Sequence, residues 1–226
     1  VGVGMQRRYY SGDKKISEIV ASGRIGKIQL ISLNEFRGDW NPRTWVYTDP
    51  KTGHKAPWRH LRETAGSSLI EFSVHSYAFI YSMLMSPVVK VSATGAAVKY
   101  PERTTRDVVA VIADFKNGTR LLHSYCGFAR GAKSDMSIIG DQGFLQWDRK
   151  TLLAKYGEEK PVTSPLPGRS AGENAEREMY KEFLEAVRTR KKHPLDPAFA
   201  LEPSKIAYAA DISIRENRIV TDKDFS

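Results

Sequence analysis

The chain has 226 residues, of which 35 are Lys or Arg and 26 are Asp or Glu, so its formal charge is +9. This length allows one large domain or two small ones. The single cysteine, Cys126, excludes an internal disulfide and a multi-cysteine zinc site and predicts a reducing, cytoplasmic setting. The positive charge indicates an anionic partner, but the basic residues are scattered and form no recognised nucleic-acid motif. We therefore predict no nucleic-acid partner, and no apolar run is long enough to predict a membrane partner.

Periodicity divides the chain into helices and strands. In chain order, we predict a short buried strand over 1–8, an amphipathic helix over 11–23, a strand over 27–37, a long helix over 66–85, strands over 88–94, 107–115 and 119–126, a hairpin of 136–140 with 143–147 that 152–156 can extend, and helices over 173–191 and 202–217. The helix over 173–191 is expected to turn Met179, Phe183, Leu184 and Val187 inward. Strands joined by short turns form antiparallel pairs. The predicted fold class is α+β, an open, mostly antiparallel sheet with helices on one face.

Residues 38–62 show no clear period and contain three prolines and three tryptophans. A loop of this length in a compact domain is usually functional or disordered. Trp40, Trp45 and Trp58 argue against disorder, because such rings normally pack on something. We interpret the segment as a lid or a pocket wall, with plain surface packing as the alternative.

The helix over 66–85 carries a candidate catalytic pair. Ser67 or Ser68 can cap it, and its apolar residues recur at helical spacing, which predicts that most of its surface is buried. Glu71 and His75 stand four positions apart and so share one face. A carboxylate beside an imidazole can orient one tautomer and leave the other nitrogen free for proton transfer. The alternative is a buried pair that only holds the helix in place.

Several short strings, in order along nearly the whole chain, resemble those of the glucose–fructose oxidoreductase/inositol dehydrogenase family (Gfo/Idh/MocA). They are Val3-Gly-Met-Gln-Arg-Arg-Tyr9, Ala21-Ser-Gly-Arg-Ile-Gly-Lys27, Trp58-Arg59, the helix with Gly66, Glu71 and His75, Ile138-Ile-Gly-Asp-Gln-Gly-Phe144, Phe183-Leu-Glu-Ala-Val-Arg188 and the closing helix over 207–218. Each string is short, so their order and spacing carry the resemblance.

The resemblance implies the C-terminal domain of an NAD- or NADP-dependent oxidoreductase that acts on a sugar, cyclitol or related polyol by hydride transfer. Family members have an N-terminal Rossmann domain, but no glycine-rich phosphate loop opens a βαβ unit in this sequence. We expect residues 1–8 to be the last strand of a dinucleotide-binding domain and residues 9–226 to form a substrate-binding and oligomerisation domain. Such a fragment is expected to be inactive alone. The resemblance also implies a homo-oligomer, a dimer or tetramer, formed through the sheet face.

The resemblance also assigns catalytic roles. His75 matches a histidine that contacts the reacting hydroxyl or relays its proton, and Glu71 stands where many members have an aspartate. No metal site is predicted, because the other histidines show no ligand spacing.

Four further residues match positions near the cofactor. Arg7 and Arg8 match a double arginine near the nicotinamide, and Trp58 and Arg59 match a pair that often lies near the cofactor. Ser67-Ser68 departs from the family pattern, as does Ser76-Tyr77-Ala78, so the substrate and the choice between NAD and NADP stay open. The alternative function is a non-enzymatic binding or assembly module without a cofactor domain.

Overall fold

A computed structural model describes residues 1–38, 46–48, 50–51, 53, 55–148, 150–166 and 175–225. The helices are α1 (Ser11–Ala21), α2 (Arg62–Ala65), α3 (Val74–Leu84), α4 (Ala175–Thr189) and α5 (Pro197–Glu216). The strands are β1 (Ile28–Phe36), β2 (Val46–Thr48), β3 (Lys55–Pro57), β4 (Val88–Ala96), β5 (Val108–Phe115), β6 (Arg120–Cys126), β7 (Asp135–Gly140), β8 (Gly143–Trp147), β9 (Thr151–Tyr156), β10 (Val162–Pro165) and β11 (Val220–Thr221).

Strand β1 lies at the centre of a nine-stranded sheet with the order β10-β9-β8-β7-β1-β6-β5-β4-β11. It pairs in parallel with β6, and the other neighbouring pairs of this described sheet are antiparallel. A parallel neighbour is possible because α3, β4 and β5 separate β1 from β6 in the chain, which is long enough for a crossover. The predicted open, mostly antiparallel sheet is confirmed, with one unpredicted parallel pair at its centre.

Helices α3 and α5 cover one face of the sheet and form the core with it, as the α+β prediction expects. Inward positions alternate along the strands, so Ile31 and Leu33 on β1 are 0% and 4% exposed. They lie in one core with Phe79 and Ile80 of α3 and Ile206 of α5. This layer holds α3, and therefore the candidate site at its start, against the end of β1.

Helix α5 begins earlier than the predicted residue 202. Asp196 caps it by accepting a 2.8 Å hydrogen bond from the Phe199 N–H, and Pro197 occupies the first turn. A proline is tolerated there because the first turn of a helix has no acceptor for its N–H. Pro197 therefore opens the helix, five residues before the predicted beginning at 202.

Two of the family-like strings meet in space. The turn at Gly26, whose φ is +70°, lies against the hairpin between β7 and β8, where Asp141 accepts a 2.9 Å hydrogen bond from the Lys27 N–H. A Cβ on Gly140 would lie 1.8 Å from the Ile25 carbonyl oxygen, so only glycine fits this approach. The two strings are therefore parts of one packing contact.

The predicted strand over residues 1–8 is wrong. Residues 1–5 belong to no regular element, and Gln6–Tyr9 form a 3-10 helix with Tyr9 buried. A strand needs a neighbour to pair with, and here the Val3 N–H bonds instead to the Leu195 carbonyl on the loop before α5. The assignment of residues 1–8 to a dinucleotide-binding domain stays a prediction.

Helix α4 exposes more apolar surface than predicted. Met179 and Phe183 are half-buried, but Leu184 and Val187 are 64% and 56% exposed. Leu184 and Val187 stay exposed because α4 packs on the short 3-10 helix Gln6–Tyr9 rather than on the sheet, so only a small part of its apolar face is covered.

The loop predicted over 38–62 contains a two-stranded sheet of β2 and β3, followed by a 3-10 helix at Trp58–His60. Trp40 and Trp45, on which the lid interpretation rested, lie outside the described residues. Within the described part of the chain, no helix is long and apolar enough to cross a membrane.

Candidate active site

The helix that carries Glu71 and His75 opens with a π-helical turn. Of the two predicted caps, Ser67 accepts a 3.2 Å hydrogen bond from the Ile70 N–H, while Ser68 at the N-cap position makes no side-chain cap bond. Leu69–Ser73 then form the π turn, in which the Val74 N–H bonds to the carbonyl five residues earlier, at Leu69. The helix predicted over 66–85 is therefore π-helical over Leu69–Ser73 and α-helical from Val74 to Leu84. Such π turns are rare and occur frequently at functional sites.

Glu71 binds a residue from the predicted cofactor-binding pair. An oxygen of its carboxylate accepts a 2.7 Å hydrogen bond from the Arg59 Nη2, with the two side chains 19% and 13% exposed. The Arg59 guanidinium also lies over the Trp58 ring, 4.5 Å from its centroid. Three of the six predicted site residues thus form one half-buried ion pair stacked on an aromatic face.

A buried polar cluster fixes the backbone of this ion pair. The Thr105 hydroxyl donates a 2.9 Å hydrogen bond to the Arg59 carbonyl, and the same hydroxyl accepts from Arg103, which is 4% exposed. Arg103 lies 3.8 Å from the carboxylate of Asp107. Because these groups are inside the protein, the turn that carries Arg59 is anchored to the start of β5.

His75 is half-buried and lies one turn beyond Glu71, between two serines that hold the helix. The next residue, Ser76, accepts a 2.7 Å hydrogen bond from Arg7 Nη1. Arg7 is itself held by Asp13 on α1, through hydrogen bonds of 2.8 and 3.1 Å. The structure therefore places Arg7 against Ser76, the residue that follows His75 in the sequence.

Arg8 lies in a different place. It lines a groove of about 880 Å³ between α1, the end of α3 and α4, together with Lys14, Glu178 and Glu182. In the same groove, the Tyr9 hydroxyl bonds to the Glu182 carboxylate. The double arginine predicted for cofactor binding is thus divided between two environments.

The sequence interpretation missed a buried carboxylate under the site helix. Glu35, at the end of β1, is 1% exposed and accepts hydrogen bonds from the hydroxyls of Ser73 and Ser76. His123 Nε2 lies 3.3 Å from Glu35 Oε2, and its Nδ1 lies 2.7 Å from the Tyr77 hydroxyl. A single tautomer, with the proton on Nε2, fits both contacts.

The electrostatics of this cluster keep Glu35 ionised. Burial alone would raise the pKa of Glu35, but His123 and the hydroxyls of Ser76 and Ser73 outweigh it and lower the pKa to about 2. Burial, assisted by the negative charge of Glu35, raises the pKa of Tyr77 well above 10. The site helix therefore rests on a carboxylate whose pKa is lowered by its own hydrogen-bond donors.

A sequence signal for this cluster existed. Glu35 occupies an inward strand position after Ile31 and Leu33, and His123 lies inward between Leu121 and Tyr125. A charged or titratable residue on the apolar face of a strand must find a partner. The identity of that partner could not be predicted from alternation.

An arginine without a predicted role flanks the π turn. The guanidinium of Arg37, just after β1, lies 3.5 Å from the centroid of the Phe72 ring. The described residues contain no cluster of three or more His, Cys, Asp or Glu side chains able to hold a metal ion.

Comparison with known proteins assigns the chain to a family. The sequence pattern of the GFO/IDH/MocA C-terminal domain matches residues 14–146. That range is more than half of the chain and includes Arg59, Glu71 and His75, so the chain belongs to this family. A search of curated proteins found no match.

Solved structures of oxidoreductases share the fold. An oxidoreductase from Thermotoga maritima is 22% identical with a TM-score of 0.77, and the match covers 100% of this chain and 63% of that one. An oxidoreductase from Agrobacterium radiobacter, in complex with NAD+, L-tartaric acid and magnesium, is 16% identical with a TM-score of 0.80, covering 100% and 66%. Aldose-aldose oxidoreductase from Caulobacter crescentus, complexed with glycerol, is 16% identical with a TM-score of 0.76, covering 98% and 62%. The chain therefore spans less than two thirds of the length of these proteins.

Proposed function

We propose that the chain supplies the substrate-binding half of an NAD- or NADP-dependent oxidoreductase that acts on a sugar, cyclitol or related polyol. The reaction is hydride transfer at a CH–OH or C=O carbon. Membership of the GFO/IDH/MocA family supports the class of enzyme, and the ligands of the similar Agrobacterium and Caulobacter proteins support a small polar substrate and an NAD-type cofactor.

One observation carries the proposal. The predicted catalytic residue Glu71 and the predicted cofactor-binding residues Trp58 and Arg59 come from separate segments, yet they form one cluster at the π turn that leads to His75. A purely structural Glu–His pair would not need a stacked arginine. Titratable groups that converge on an irregular helical turn are typical of active sites.

In the proposed reaction, this chain supplies the base that removes the hydroxyl proton of the substrate. As the substrate is oxidised, His75 takes the hydroxyl proton, and an imidazole suits this task near neutral pH. Glu71 and Arg59 hold each other in place beside it, so their charges are fixed before the substrate binds. The bound nicotinamide cofactor would supply the redox chemistry.

The residues present fit one edge of such a cofactor. Trp58 offers an aromatic face and Arg59 a fixed positive charge, which suit a planar ring and an anionic group. The remaining contacts with the cofactor would come from a Rossmann domain, in keeping with the longer proteins that share the fold. A cytoplasmic location and inactivity of these 226 residues alone are part of the same proposal.

The test uses the complete gene product with NAD+ or NADP+ and a panel of polyols that includes myo-inositol, glucose and glycerol. We expect reduction of the cofactor with at least one of them, and His75→Ala should lower kcat by about 10²- to 10⁴-fold with an unchanged fold by circular dichroism. His193→Asn, in the separate contact with Phe183, is the matched control and should keep full activity. Wild-type turnover by His75→Ala, or no reaction with any polyol and either cofactor, would contradict the proposal.

We further propose that the chain forms homo-oligomers through the outer face of the sheet. Ile112 on β5 and Leu122 on β6 are directly paired across that face and are 53% and 42% exposed. Small and polar residues such as Ala110 and Ser124 surround them. A partner that covers this face would bury the exposed pair.

A further inference from the structure

Glu35 is a buried carboxylate, 1% exposed, to which the proposed reaction assigns no step. Its carboxylate lies under the π turn, at the point where the turn changes into α3. The proposed mechanism uses Glu71 and His75 and gives Glu35 no task. A charge kept in the core without a role in chemistry is expensive, so its contacts with the helix call for an explanation.

The two oxygens of Glu35 bind the serines that lie on either side of His75 in the sequence. One oxygen accepts the Ser73 hydroxyl at 2.7 Å, and the other accepts the Ser76 hydroxyl. Ser73 is the last residue of the π turn, and Ser76 lies in the first turn of α3. A single rigid carboxylate therefore bridges the junction that sets the rotation of the helix about its axis.

The opposite side of Glu35 is fixed as well. His123 lies against the same oxygen that accepts from Ser73, and Tyr77 holds the other nitrogen of His123. The Ser76 hydroxyl also accepts from Arg7, so the direction in which it can donate is restricted to Glu35. Together, Ser73, Ser76 and His123 hold the Glu35 carboxylate in a single position.

We propose that Glu35 is a positioning residue that selects the π turn and thereby sets where Glu71 and His75 point. This inference rests on the proposed function, since the positions of Glu71 and His75 matter only if they act on a substrate. Without the carboxylate, Ser73 and Ser76 lose their shared acceptor, and the junction can relax toward a regular α-helix with different side-chain directions. Misplacement of a catalytic group by about 1 Å can cost about 10²-fold in rate.

The test begins with a readout that needs no substrate. In the complete gene product labelled on histidine, the His75 ring resonance is assigned by its loss in His75→Ala. Glu35→Gln should shift that resonance and speed amide exchange at Ser73–Ser76 at least about tenfold, as expected for a locally opened junction. The matched control is Ile31→Val, which removes one methyl group from the same face of the same strand but keeps both hydrogen bonds from the helix to Glu35, and it should leave the resonance unchanged.

Two outcomes would overturn the proposal: an unchanged His75 resonance in Glu35→Gln, or the same shift in Ile31→Val, which would indicate general loosening. If Glu35→Gln does not fold, Ser73→Ala and Ser76→Ala each remove one arm of the bridge and must produce the same shift.

A kinetic measurement separates this inference from the proposed function. With whichever polyol is turned over, Glu35→Gln should lower kcat by about 10²-fold while KM stays within about twofold, because substrate contacts are intact but the catalytic geometry is lost. A KM raised by about 10²-fold with an unchanged kcat would overturn the proposal that Glu35 is a positioning residue. If the wild type turns over no polyol, the proposed function fails, whereas the His75 resonance still decides whether Glu35 positions the helix.

Discussion

Arg7 and Ser76 are 69 positions apart in the sequence, yet the Arg7 guanidinium donates a 2.7 Å hydrogen bond to the Ser76 hydroxyl. The same hydroxyl donates a hydrogen bond to Glu35. The N-terminal segment, the site helix and the central strand are therefore joined by one chain of polar contacts. Asp13 holds the other side of Arg7. The segment that contained the failed strand prediction is therefore tied directly to the candidate active site.

Removing Arg7 should destabilise the protein much more than removing its neighbour. Arg7→Ala leaves the 11%-exposed carboxylate of Asp13 without its partner, and we expect a loss of about 3 kcal/mol in the free energy of unfolding. Arg8→Ala, in the open groove, should cost less than about 1 kcal/mol. Urea unfolding followed by circular dichroism measures both. Equal losses would mean that the Arg7–Asp13–Ser76 contacts do not stabilise the fold.

Arg59 should contribute to cofactor affinity. In the complete gene product, Arg59→Ala removes the charge stacked on Trp58, and we expect NADH to bind at least about tenfold more weakly, a loss typical of one charge-assisted contact. Fluorescence titration of NADH is the measurement. Arg62→Ala, in the neighbouring helix α2, breaks a pair with Asp211 of α5; it serves as the control and should bind NADH like the wild type. Unchanged affinity in Arg59→Ala would remove Arg59 from the cofactor site.

Stability should fall in acid because of Glu35. Its pKa is about 2 in the folded protein against an ordinary value of 4.5, so the folded state binds fewer protons there than the unfolded state. The stabilisation is complete above about pH 5 and is lost as the pH falls toward 2, an effect on the order of 3 kcal/mol. Urea unfolding at a series of pH values should show this slope in the wild type and a shallower one in Glu35→Gln. Identical slopes would contradict it.

The outer sheet face should control assembly. Ile112→Arg places a charge at the centre of the proposed interface, and we expect it to reduce the oligomer to monomers in light scattering, while the fold is kept because the residue is exposed. Leu201→Arg, at an equally exposed apolar position on α5, should leave the assembly intact. A wild type that is strictly monomeric would refute the interface.

Much of the architecture was predictable because hydrophobic periodicity is a local property. The strands that form β4 to β9 were predicted to within a few residues, since alternation and turn residues such as Asn117-Gly118 depend only on neighbouring positions. The site helix was predicted in the same way, with Ser67 or Ser68 as its cap, and Glu71 and His75 on it stay predicted site residues. The beginning of α5 was missed because Pro197 is compatible with both a break and a first turn.

The sequence alone established the family, the fold class and the candidate residues, because these follow from local patterns and their order. Only the tertiary structure decided which residues meet: Arg59 with Glu71, Arg7 with Ser76, and Glu35 with Ser73 and Ser76. These contacts depend on the parallel pairing of β1 with β6 and on the π turn, which arise from packing between distant segments. Periodicity specifies that Glu35 points inward, whereas the partner it finds there is chosen by the whole fold.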